Sequence, residues 1–249
     1  MKTQKSIFSS LAALALAGAL ALPASAAPII TNGGFESGPF GWSSADKLGS
    51  DGTFQVQSGT TSPINGDTVP APPGGVYAAM TDGGAGGSHV LYQDFTISSG
   101  GPNFTLAFAL FLQNQGGMFA TPAPDDLEWS GNYANQQFRV DIIQASADPF
   151  TVTPADILMN LYQSQDGDPL VSGYNTLNFD ISSLVNANLG TALRLRFVEV
   201  DNLGPLQAGV DNVSITESAA IPEPSTVLTV AGGLLLVAAR SLRRRKVQA

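Results

Sequence analysis

The chain of 249 residues has no cysteine and a single histidine, His89, and each shortage removes a class of chemistry. Without thiols there is no disulfide framework, no thiolate zinc or iron–sulfur site and no cysteine nucleophile. With one imidazole there is no multi-histidine metal centre, and no Gly-x-Ser-x-Gly turn exists to make His89 part of a nucleophilic site. Basic charge is also scarce, with 11 Lys and Arg against 20 Asp and Glu. Lys2 and Lys5 lie at one end and Arg240, Arg243, Arg244, Arg245 and Lys246 at the other, which leaves Lys47, Arg139, Arg194 and Arg196 for the whole middle. All the acidic residues fall between Glu36 and Glu223, so the body is strongly acidic. Such a body repels phosphate backbones, which argues against nucleic acid as a partner, and it accommodates divalent cations.

What is present at the two ends reads as addressing. Met1-Lys2-Thr3-Gln4-Lys5, the apolar run Leu11 to Leu22 and the small residues Ala24-Ser25-Ala26-Ala27 follow the secretory signal pattern, with cleavage expected after Ala26. Near the other end, Ile221-Pro222-Glu223-Pro224-Ser225 precedes an apolar segment from Thr226 to Ala239 and then the Arg-rich end. As a helix that segment reaches about 21 Å, short of a hydrocarbon core of about 30 Å. It makes a marginal membrane anchor, whose basic end stays cytoplasmic and leaves the acidic body outside.

Pro222-Glu223-Pro224, the short apolar span with Gly232-Gly233 and the cluster Arg243, Arg244, Arg245 together resemble the tripartite sorting signal of PEP-CTERM proteins. The resemblance covers about the last thirty residues. It implies a Gram-negative, polysaccharide-producing host and an exosortase partner that recognises Pro-Glu-Pro in the membrane and removes the tail, so the precursor sits in the inner membrane before it reaches the cell surface or medium. A plain single-pass anchor is the alternative. The organisation expected is a signal peptide over 1–26, one domain over 27–220 and the sorting segment over 221–249.

The body is expected to be all-β. Phe104, Leu106, Phe108 and Leu110 alternate with small or polar residues, as do Phe138, Val140 and Ile142, and Leu177, Phe179 and Ile181. Further strands are expected at Val76 to Met80, Val90 to Ile97, Ile157 to Tyr162, Leu193 to Val200 and Val210 to Thr216, with a bulge where the apolar parity slips at Phe197-Val198. Ser58 to Gly75 and Gly116 to Gly131 are expected as loops. Strands this numerous, separated by turn residues, predict a single antiparallel β-sandwich of jelly-roll type.

Asn32-Gly33-Gly34-Phe35-Glu36 with Gly41-Trp42, and Gly209-Val210-Asp211-Asn212-Val213-Ser214-Ile215, resemble the first and last strands of the galactose-binding-like jelly roll of carbohydrate-binding modules. Tyr92-Gln93-Asp94-Phe95 and Phe179-Asp180-Ile181-Ser182 sit where such domains have further strands. The resemblance implies a structural calcium held by Glu36 and Asp211. The residues themselves point the same way: alternation puts Asp211 on the inward face with Val213 and Ile215, where a carboxylate needs a cation or several donors. Pairing with Arg194 or Arg196, or a turn hydrogen bond, is the alternative.

Sugar recognition needs an aromatic platform with nearby amides and carboxylates. The loop holding Phe119, Asp125, Asp126, Glu128, Trp129, Asn132, Tyr133, Asn135 and Gln136 has that composition, and Trp129, Tyr133, Asp126, Glu128 and Asn132 are the candidate ligand contacts. The alternative is that Trp129 covers one end of the core. Asp125, Asp126 and Glu128 could form a glycosidase pair only if they face each other across a cleft. The expectation is a non-enzymatic surface or matrix protein that binds extracellular polysaccharide, against a purely structural matrix component and, third, a glycan-active enzyme.

Overall fold

A computed structural model describes residues 28–82 and 84–218. The sorting residues Pro222, Glu223, Pro224, Arg243, Arg244 and Arg245, and the signal segment, lie outside the described residues. Among those described, no helix is long and apolar enough to cross a membrane.

Ten strands follow one another: β1 (Ser43–Asp46), β2 (Thr53–Ser58), β3 (Tyr77–Asp82), β4 (Gly87–Thr96), β5 (Asn103–Asn114), β6 (Gln137–Gln144), β7 (Ile157–Gln163), β8 (Asn175–Asp180), β9 (Ala192–Asp201) and β10 (Leu206–Ser218), with a short helix α1 (Ser182–Ala187) between β8 and β9. They form two antiparallel sheets, ordered β1-β4-β9-β6-β7 and β2-β3-β10-β5-β8. The chain changes sheet at every connection except β2–β3 and β6–β7. Two packed sheets give the expected sandwich, and the eight strands anticipated in the sequence correspond to β3 through β10. Strands β1 and β2 were not anticipated, although Phe54 and Val56 alternate with Gln55 and Gln57 in β2.

The core between the sheets is built by alternation. Phe104, Leu106, Phe108, Leu110 and Leu112 of β5 meet Leu193, Leu195 and Phe197 of β9 and Phe138, Val140 and Ile142 of β6. Aromatic rings lock the centre: Phe108 and Phe197 meet edge to face at 5.2 Å, Phe108 and Phe179 lie 5.7 Å apart, and Phe35 and Trp42 lie 5.2 Å apart. Each such side chain contributes about 2–3 kcal/mol of apolar burial.

The bulge expected at Phe197-Val198 is not there. Strand β9 pairs without a register break against both β4 and β6. The parity slips because β9 is buried on both faces. Leu193, Leu195 and Phe197 face the main core, whereas Val198 and Val200 join Val90 and Leu127 in a second cluster, against which Trp129, Phe150 and Val152 pack.

The same outer face carries the arginines. Arg139 and Arg196 both pair with the fully buried Asp141, at 2.8 and 2.7 Å, and Arg139 also reaches Asp125 at 2.5 Å. The segment 145–156 lends the carbonyls of Pro149 to Arg196 (2.7 Å) and Ala147 to Arg194 (3.0 Å). Burial pushes the Asp141 carboxyl up, but the Arg139 hydrogen bonds and the charges of Arg196 and Arg139 outweigh it and hold it below the usual carboxylate range.

Register shifts fall instead in the β6–β7 pairing, at Val140/Asp141 and Ile142/Ile143, and in β10, where the register against β5 shifts between Asp211 and Ser214 and Asn212 takes φ 53°. Val210, Val213 and Ile215 all join the main core, so alternation breaks between 210 and 213. This corrects the expected placement of Asp211, which does not share the inward face of Val213 and Ile215. The Asn32–Glu36 motif is likewise a turn rather than a first strand, with Asn32 at φ 52° and Phe35 at φ 56°. Its Gly33 lies so close to the Val213 carbonyl that a β-carbon would collide with it, and the Gly33 carbonyl accepts the Val213 N–H at 2.8 Å.

Candidate functional site

Two places bring the sequence candidates together. The first is an open cleft of about 530 Å³ at one end of the sandwich, lined by Trp129, Asn132, Tyr133, Asn202 and Leu203 and by the backbone around Gly86. Loop 116–136 supplies the aromatics and the β9–β10 turn supplies Asn202 and Leu203. Asn202 ties the two together by donating to the carbonyls of Trp129 (3.0 Å) and Tyr133 (2.8 Å) and accepting the Asn135 N–H at 2.9 Å. Tyr133 is 44% exposed and Asn132 is exposed. Trp129 is half-buried against the second cluster, and its indole N–H is buried with no acceptor among the described residues.

Asp126 and Glu128 do not line this cleft. Asp126 accepts from the Tyr133 hydroxyl, from the Asn135 amide at 3.0 Å and from the Glu128 N–H at 3.0 Å. That hydrogen bond to Asp126 raises the Tyr133 phenol above its ordinary range. Glu128 accepts the Ser130 hydroxyl at 2.8 Å and pairs with Lys47 at 3.0 Å; the Ser130 hydrogen bond comes first in holding its carboxyl below the usual range. Asp125 is taken by Arg139. The three carboxylates therefore brace the loop and do not oppose one another across a cleft as a glycosidase pair must. His89 is buried, with Nδ1 2.7 Å from Asp46 and Nε2 3.0 Å from the Asp51 carbonyl, so it presents no nitrogen to a substrate.

The second place holds Glu36 and Asp211. A β-carbon on Gly34 would lie 3.8 Å from Asp211 Oδ1 and 3.9 Å from the Glu36 Cγ methylene, and the Glu36 charge is felt at Asp211. Asp211 is fully buried and accepts the N–H groups of Asn212 (2.6 Å) and Gly74 (3.1 Å). Glu36 accepts those of Val76 (2.8 Å) and Tyr77 (3.0 Å), and Gly75, at φ 60°, leaves room where any side chain would strike its carboxylate. Burial pushes the Asp211 carboxyl up to about 6, against the two backbone hydrogen bonds, and the Glu36 charge adds to the rise. Of the alternatives, the arginines are excluded, since Arg194 pairs with Asp94 and Arg196 with Asp141, whereas the turn hydrogen bond is present in the N–H groups that Asp211 accepts. Among the described residues no three acidic or histidine side chains converge, so a cation here would complete its shell from backbone oxygens.

Asn202, Leu203 and Gly74 were not anticipated. They come from turns distant in sequence, and no local pattern marks them.

No family model matches the sequence, and no curated protein is significantly similar to it. Solved structures of similar shape include the carbohydrate-binding module TmCBM61 in complex with β-1,4-galactotriose, at 10% identity and TM-score 0.44 over 78% of this chain and 100% of that one. The K3 cleaved adhesin domain of Lys-gingipain from Porphyromonas gingivalis W83 aligns at 15% identity and TM-score 0.46, covering 76% and 99% of the two chains. A Stig cyclase, Fisc from Fischerella sp. TAU, aligns at 18% identity and TM-score 0.45, covering 78% and 98%. A binding module, an adhesin domain and an enzyme thus stand side by side among the structural neighbours.

Proposed function

We propose that this chain is an exported, non-enzymatic surface or matrix protein whose sandwich binds extracellular polysaccharide through the Trp129–Tyr133 cleft. The observation that carries the reading is the convergence of Trp129, Tyr133 and Asn132 on one solvent-open face, since sugars are gripped by an aromatic ring and an amide together. The signal pattern at 1–26 delivers the chain out of the cytoplasm of a Gram-negative cell. An exosortase then recognises Pro222-Glu223-Pro224 while the 226–239 segment and Arg243, Arg244 and Arg245 hold the chain in the inner membrane.

Calcium fits the Glu36–Asp211 pair. A divalent ion would supply the countercharge that no arginine offers, and it would join the Asn32–Glu36 turn to β10. The ion is structural in this reading and takes no part in chemistry.

A purely structural matrix role is favoured by one observation, the packing of Trp129 onto Val90, Leu127, Val198 and Val200, which a wall residue would show without any ligand. The test is a glycan array probed with wild type, Trp129→Ala and the Asn132→Ala/Tyr133→Ala double variant. Because Trp129 also packs, the double variant at exposed positions decides. Binding lost in it with the melting temperature retained supports the cleft, and absence of any glycan binding by wild type refutes it.

A further inference from the structure

Among the described residues, Asp125, Asp126, Glu128 and Lys47, the charged side chains of the cleft loop and its neighbour, each have a partner, and this bears on which polysaccharide the cleft can take. We propose that the ligand of the Trp129–Tyr133 cleft is an uncharged polysaccharide, an inference that rests on the cleft being a glycan site.

An acidic polymer would need cations. Arg139, Arg194 and Arg196 are buried or nearly so, each paired with a carboxylate, and Arg194 and Arg196 are capped by carbonyls of segment 145–156. Lys47, the remaining basic residue of the body, pairs with Glu128 at 3.0 Å and lies over the Phe150 ring at 5.5 Å. Uronate or sulfate groups laid along this end would meet the carboxylates of Asp126 and Glu128, with Lys47 alone to offset the two.

An amino polymer would need unsatisfied carboxylate oxygens. Both oxygens of Asp126 accept hydrogen bonds, from Glu128 and Asn135 on one and from Tyr133 on the other. Both oxygens of Glu128 are likewise engaged, by Ser130 and by Lys47. An ammonium group would have to displace contacts that hold the loop in shape, so it gains long-range attraction and no dedicated contact. What the cleft does present is two aromatic rings, the exposed Asn132 amide and backbone from Ser130 to Ala134. Ring faces take the C–H face of a sugar, and an amide both donates to and accepts from hydroxyls.

The test is affinity electrophoresis of the full exported protein through gels containing a neutral galactan or glucan, alginate or chitosan, all with chelator so that no calcium bridges an acidic chain to the protein. The expected result is retardation by a neutral polymer that changes less than about twofold between about 0.02 and 0.5 M salt, because no ion pair is made. The Asn132→Ala/Tyr133→Ala double variant should weaken that binding by about tenfold or more, because the lost ring contact and the lost amide hydrogen bond are each worth a sizeable fraction of a decade. Stronger binding to alginate or chitosan than to any neutral polymer, lost in the double variant, overturns the uncharged assignment and keeps the cleft. Retention by none of the polymers overturns the cleft itself.

Discussion

Asp211 sets a pH dependence whose sign is opposite to that of an ordinary native carboxylate. Its carboxyl is raised from 3.8 to about 6 in the folded protein, chiefly by burial and further by Glu36. Between those values the unfolded chain has released a proton that the folded protein retains, so the unfolded state binds fewer protons and stability falls as pH rises, from about pH 4 to about pH 6, and then levels off. The full gap corresponds to at most about 3 kcal/mol, and solvent at the exposed Glu36 of the pair brings it to about 1–2 kcal/mol. Other groups slope the other way: the carboxyls of Asp141, Glu128 and Asp180 lie below their ordinary range, so what they contribute is lost on acidification. The informative quantity is therefore the difference between wild type and Asp211→Asn, measured by urea unfolding in chelator at a series of pH values. Relative to the variant, wild type should lose about 1–2 kcal/mol between about pH 4 and pH 6.5. Calcium at a hundredfold excess over its dissociation constant should then restore about 2.7 kcal/mol to wild type at neutral pH and little to the variant. Parallel pH curves for the two proteins would refute the reasoning about the Asp211 environment, and identical wild-type stability in calcium and chelator would refute the ion.

Replacing Asp141 with Ala leaves two buried guanidiniums without their shared partner and should cost about 3–5 kcal/mol in urea unfolding, whereas Asp94→Ala, at a half-exposed pair with Arg194, should cost about 1 kcal/mol or less; equal losses would contradict the burial argument. Intact-mass measurement on exported protein from a host with an exosortase should show a chain that begins at Ala27 and lacks Arg243 to Lys246. Retention of the basic tail in most of that material would instead mark a permanent anchor.

The strands were legible because a sandwich strand whose outer face carries small or polar residues writes its geometry into every second residue, as Phe104 to Leu110 do, and as Phe138 to Ile142 do even though Arg139 and Asp141 between them are buried. Legibility failed where that premise failed. Strand β9 is dry on both faces, so Val198 and Val200 resembled a slipped register. The irregularity at Asn212 is announced only by a residue type tolerant of positive φ, a signal too common to stand out. At the cleft, Trp129, Asn132 and Tyr133 could be picked from composition. The roles of Asp126 and Glu128 could not, because they depend on Asn135, Ser130 and Lys47 lying within hydrogen-bond reach, and Lys47 arrives from the other side of the chain. Glu36 and Asp211 were joined by a motif resemblance. Of their donors, Gly74 sits in the expected loop and Val76 and Tyr77 open the expected strand, and neither expectation says that these N–H groups meet the two carboxylates.

The tie between Gly33 and Val213 joins the two ends of the domain. Strand β10 lies in the middle of its sheet, between β3 and β5, and closes the turn that opens the domain. Until residues near 213 are available, β3 and β5 have nothing between them to bridge, and the amino-terminal turn has Gln93 of β4 and the Val76–Tyr77 backbone as partners but lacks its tie to β10. A chain that becomes available amino end first would therefore complete this sheet only when its last strand is present, because β10 is both the bridge between β3 and β5 and the strand on which the amino-terminal turn closes.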